Sequence, residues 1–81
     1  MKEAYQLAQK AIAKLKTAIY RALAESEGGL TNAALGRALG IYSGHVGHEG
    51  HISRTMLAVM EAEGVVEQNS ETKIWYLRRR D

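Results

Sequence analysis

The sequence contains no cysteine, which excludes disulfides and thiolate metal sites and leaves helix packing or dimerisation to hold the fold. A reducing, intracellular setting is the expectation. No stretch approaches the roughly 20 uninterrupted apolar residues of a membrane span, and Met1-Lys2-Glu3-Ala4-Tyr5-Gln6 lacks the apolar core of a signal peptide. The expected location is therefore the cytoplasm, without a membrane partner. Aspartate is nearly missing too, occurring only as Asp81, and no glycine-rich strand-to-helix phosphate loop is present. Ser43 stands only two positions from His45, whereas a nucleophile and its base normally come from separate elements held rigidly together. These absences point away from an enzyme and away from a cofactor.

What remains is one domain spanning 1–81, since 81 residues cannot support two cores and leave no room for a small-molecule substrate pocket. Eleven Lys and Arg against nine Asp and Glu give a formal net charge of +2, too slight by itself to indicate a nucleic-acid partner. Charge placement must supply that information. From Lys2 to Glu25 the residues are good helix formers, with Ala8, Ile12, Leu15, Ile19 and Leu23 recurring at spacings of three or four. Lys10, Lys14 and Arg21 share the opposite, solvated face. An unbroken helix here would be about 36 Å long, more than the width of the small domain that follows. The expected division is a helical extension over 1–16 and a core over 17–81. The heptad-like spacing of Ala8, Ile12, Leu15, Ile19 and Ala22 suits a homodimer formed through this helix; a break near Lys16-Thr17 would instead fold the segment back.

Gly28-Gly29 closes the first region, and Thr31 is the expected N-cap of a short helix whose apolar face is Ala34, Leu35, Ala38 and Leu39. Gly40 ends it. A glycine-dense loop follows up to Ile52, and then the run Ser53-Arg54-Thr55-Met56-Leu57-Ala58-Val59-Met60-Glu61-Ala62-Glu63 forms a third helix stopped by Gly64. Two adjacent stripes border its buried side, Ile52, Met56, Val59 and Glu63 beside Ser53, Leu57, Met60 and Gly64, and the core is expected to take apolar members of both. The exposed face would then include Arg54, Thr55, Ala58 and Glu61. Val65-Val66-Glu67-Gln68 and Lys73-Ile74-Trp75-Tyr76-Leu77-Arg78 are β-prone runs flanking a polar turn, Asn69-Ser70-Glu71-Thr72, and predict a hairpin. Trp75 and Leu77 alternate onto one face, which would pack on the helices.

The fold class predicted is mostly α with a small β-hairpin. In this order, Leu30-Thr31-Asn32-Ala33-Ala34-Leu35-Gly36-Arg37-Ala38-Leu39-Gly40-Ile41, then Ile52-Ser53-Arg54-Thr55, then Glu61-Ala62-Glu63-Gly64-Val65-Val66-Glu67, the chain resembles the winged helix-turn-helix superfamily. The resemblance covers Thr17 to about Arg78. It departs at the turn, where family members usually place about four to six residues between the positions of Ile41 and Ile52. The resemblance implies double-stranded DNA binding, with a recognition helix over 52–63 in the major groove and a wing over 65–78 on the sugar-phosphate backbone. Such a module would serve as a transcription regulator or as the DNA-targeting part of a larger DNA-processing enzyme. The alternative is a winged helix that binds another protein, suggested by Glu61, Glu63, Glu67 and Glu71, which would repel phosphate.

Three Gly-His-X triplets, Gly44-His45-Val46, Gly47-His48-Glu49 and Gly50-His51-Ile52, contain every histidine in the chain. They are open to three readings: contact with DNA beside the third helix, a flexible polar loop, or zinc ligation with Glu49. Spacing argues against zinc, because a helical i, i+3 pair is costly where glycine precedes each histidine, at about 1 kcal/mol per glycine relative to alanine. Arg54 is the candidate for base readout, since a guanidinium donates two bonds to guanine O6 and N7; a surface ion pair is its other reading. Ser53 and Thr55 would bond phosphates or cap the helix, and Ala58 stands between them and Glu61 on the outer face. Lys73 and Arg78, with Arg79 and Arg80, are candidates for backbone contacts or a solvated tail.

Overall fold

The computed structural model describes residues 1–43 and 49–79. Within them the chain forms helices α1 (Lys2–Glu25), α2 (Asn32–Ala38) and α3 (His51–Ala62), followed by strands β1 (Val66–Gln68) and β2 (Trp75–Leu77). The architecture is mostly helical, with one two-stranded antiparallel hairpin. Its register pairs Val66 with Leu77, Glu67 with Tyr76 and Gln68 with Trp75.

Helix α1 runs through Lys16-Thr17 without a break. The Thr17 hydroxyl donates to the Ala13 carbonyl at 3.1 Å, a bond made within the helix that leaves the ladder continuous, so the fold-back alternative does not occur. Burial divides α1 sharply. Residues 1–14 are all exposed, whereas Leu15, Ile19, Ala22 and Leu23 enter the core. Leu15 is the first α1 side chain to pack against the core. Ser26 ends the helix, its hydroxyl donating to the Ala22 carbonyl at 2.7 Å.

The core lies where one face of each element meets: Ile19 and Leu23 from α1, Leu35 from α2, Met56, Leu57 and Met60 from α3, and Val66 and Trp75 from the hairpin. Side chains of this size each contribute about 1.5–3 kcal/mol when fully buried. In a body this small, a handful of them supplies most of the driving force. Thr31 caps α2 as expected, its hydroxyl accepting from the Ala34 amide at 3.1 Å. Leu30, just before it, exchanges two backbone hydrogen bonds with Trp75, at 2.9 and 2.7 Å. That bridge adds a one-residue third strand to the hairpin and ties β2 to the link between α1 and α2. No helix among the described residues is long and apolar enough to cross a membrane.

Candidate nucleic-acid interface

Helix α3 buries Ser53, Met56, Leu57 and Met60. At 100° per residue, that buried arc leaves His51, Thr55, Ala58 and Ala62 pointing straight away from the body. Arg54 and Glu61 lie along one edge of this outer face, Ile52 and Val59 along the other. The core therefore takes Met56 from one stripe and Leu57 and Met60 from the other, as expected, but leaves Ile52 and Val59 out and buries Ser53 instead. Ile52 and Val59 remain 42% and 39% exposed. Neither α1 nor the hairpin covers the outer face, since Arg54, Thr55, Ala58 and Glu61 are all exposed.

Ser53 is a correction. Its side chain is fully buried and its hydroxyl donates to the Gly50 carbonyl at 3.2 Å, so it faces α2 and is unavailable to a duplex. The reason is packing. A Cβ on Gly36 would lie 3.1 Å from the Ser53 hydroxyl and 3.0 Å from the Tyr42 ring, so α2 and α3 approach closely only where both carry small residues. The start of α3 is held by the same junction. Gly50 takes a left-handed φ of 83° as the N-cap, and a Cβ there would fall 2.7 Å from the Asn32 amide nitrogen. That nitrogen donates to the Gly50 carbonyl at 3.3 Å, tying the first turn of α2 to the first turn of α3.

The remaining sequence candidates divide by position. His51 is the first residue of α3 and is exposed, so the helix begins one residue earlier than expected. His45 and His48 lie outside the described residues, as does Arg80. Arg54 reaches back from the helix, its guanidinium donating to the Glu49 carbonyl at 3.3 Å. Its partner is a backbone carbonyl, and among the described residues it forms no ion pair with an acid. Thr55 and Ala58 stand on the outer face.

Lys73 sits at the far end of the hairpin turn in a left-handed conformation, φ 65°, the one described non-glycine residue with positive φ. The turn around it is heavily tied. Asn69 Oδ1 accepts from the Glu71 and Thr72 amides, both at 2.9 Å, the Lys73 amide donates to the Asn69 carbonyl at 2.8 Å, and Gln68 Nε2 donates to the Lys73 carbonyl at 3.1 Å. These bonds hold the lysine in a conformation its side chain disfavours. Arg78 is exposed just past β2, and its amide donates to the Val65 carbonyl at 2.9 Å, extending the ladder by a rung.

Of the acids near this surface, Glu63 is engaged by Lys16 of α1 at 2.7 Å, while Glu61, Glu67 and Glu71 are exposed. Among the described residues no group of three or more His, Cys, Asp or Glu side chains is placed to hold a metal ion. Sequence reasoning missed Asn32, whose role depends on a partner 18 residues away, and the Arg37 guanidinium stacked over the Tyr42 ring, 4.6 Å from its centroid. The pairing of Arg37 with an aromatic five positions on was visible in the sequence as a cation–π candidate. No protein-family model, curated protein or solved structure matches this chain.

Proposed function

We propose that the chain is a winged helix-turn-helix domain that binds double-stranded DNA through α3 in the major groove, with the hairpin on the adjacent backbone. The observation that carries this reading is the outer face of α3. It is a 12-residue rod, about 18 Å long, backed by the core and presenting side chains small enough at Thr55, Ala58 and Ala62 for a groove about 12 Å wide to admit it. Arg54 at its first turn has a guanidinium suited to bidentate reading of guanine, and His51 stands one turn before Thr55 on the same face. Lys73, at the far end of the hairpin turn, and Arg78, at the hairpin's base, supply phosphate-directed charge. The module would act in transcription regulation or as the targeting part of a larger DNA-processing protein.

A second reading, a domain that docks another protein, draws on the exposed Ile52 and Val59 and on the exposed acids Glu61, Glu67 and Glu71. Electrophoretic mobility shifts over a salt series separate the two readings. DNA binding predicts retardation at low salt that weakens steeply as counterions compete for the phosphates. Absence of retardation at low salt, with capture of a protein ligand on the α3 face, would favour the second.

A further inference from the structure

The first half of α1 is the largest feature that the proposed DNA interface leaves unused. Residues 1–14 are exposed throughout, and an isolated helical segment of that length is marginal in water. Its apolar residues follow a heptad seam: Met1, Tyr5, Ala8 and Ile12, continuing without interruption into Leu15, Ile19 and Ala22. The last three are packed by the chain's own body. The first four are not, with Met1, Tyr5 and Ile12 exposed by 104%, 67% and 38%. One seam is thus half filled. Leu7, also exposed, lies on the opposite face among Glu3, Lys10 and Lys14.

We infer that a second copy of this chain covers the empty half, its α1 running antiparallel and overlapping Met1–Ile12. Two constraints select this arrangement. From Leu15 onward the seam is occupied by the body, so two parallel helices pressed face to face would drive their bodies into each other, whereas reversed helices place the bodies at opposite ends. Within the antiparallel arrangement, the register confined to the free residues sets Tyr5 against Ala8 of the second copy and Ile12 against Met1 of the second copy. Large then meets small in the two central layers, as interdigitating packing requires.

Charge agrees with size. The residues flanking the seam on one side are Ala4 and Ala11, which would face each other across the two-fold axis, and on the other side Lys2 and Gln9, which would do the same. No like charges meet at either flank, and Glu3, Lys10 and Lys14 remain in solvent. The contact is isologous, so it closes at two copies and stops there. It does not depend on the nucleic-acid reading, because α3's outer face takes no part in it.

Sedimentation of the full chain from micromolar to sub-millimolar concentration tests the pairing. The expected result is a reversible dimer, weakened at least about tenfold by Tyr5→Glu and unaffected by Lys14→Glu on the opposite face, while the body's cooperative unfolding is retained in both variants. Because the chain has no native cysteine, register can be read separately. Mixing the Ala4→Cys and Ala11→Cys variants under mild oxidation should yield a disulfide-linked pair that Ala4→Cys alone does not form. A monomer at every concentration, a dimer indifferent to Tyr5→Glu, or cross-linking of Ala4→Cys to itself with none to Ala11→Cys would each overturn the inference.

Discussion

The Lys16 ammonium lies 2.7 Å from a carboxylate oxygen of Glu63, tying the middle of α1 to the C-terminal end of α3 at the point where α1 enters the body. Both side chains are partly exposed, at 31% and 45%, so solvent screens the attraction and pairs of this kind are worth about 0–1 kcal/mol. A double-mutant cycle with Lys16→Ala and Glu63→Ala should give a coupling within that range that shrinks in high salt. A coupling of several kcal/mol would mean that the pair anchors α1 rather than trimming it.

At the α2–α3 junction the expected effect is larger. Gly50→Ala puts a methyl group against the Asn32 amide at a left-handed φ, so it should destabilise the fold by more than the ~1 kcal/mol that an unfavourable left-handed residue costs by itself. Leu57→Ala, at a fully buried position, should cost about 2–5 kcal/mol. Denaturant melts of the two variants check both values. Gly50→Ala with wild-type stability would show that the junction relaxes without loss.

Under the proposed function, Lys73 sets stability against binding. Glycine accepts its conformation freely, so Lys73→Gly should leave the hairpin as stable as before or raise stability by up to about 1 kcal/mol. DNA affinity should nonetheless fall for every sequence, with the salt slope reduced by about 1. A variant that gains stability and keeps full affinity would remove Lys73 from the interface.

Arg54 and Lys73 should behave differently on a panel of duplexes. Arg54→Ala is expected to lose about 1–3 kcal/mol of discrimination at one base pair, whereas Lys73→Ala weakens all duplexes alike. Parallel losses by both would indicate that Arg54 touches only phosphate.

Element identity was legible where the signal was local. The run of helix formers from Lys2, the Thr31 cap and the two β-prone runs around Asn69 each mark their element through neighbours a few residues away; the helix boundaries follow closely, while the second β-prone run, Lys73–Arg78, shortens to Trp75–Leu77. Which residues at the border of the inward side of α3 are buried was not legible. Ile52 and Val59 are more apolar than Ser53, yet Ser53 is buried, because the close crossing with Gly36 rewards a small residue over a hydrophobic one. The Leu30–Trp75 bridge joins positions 45 residues apart, and the left-handed Lys73 is imposed by a network around Asn69; neither leaves a mark in local composition. For the interface, Arg54, Thr55 and Ala58 were placed outward from periodicity alone, which fixes the side of a helix once its partners are known.

Titrating isotope-labelled protein with a short DNA duplex at low salt, followed by amide chemical shifts, tests residue by residue whether the outer face of α3 meets a duplex. The predicted result is perturbation concentrated at His51, Arg54, Thr55 and Ala58 and at Lys73, reversed by added salt. Perturbation confined to α1, or none at all, would contradict it.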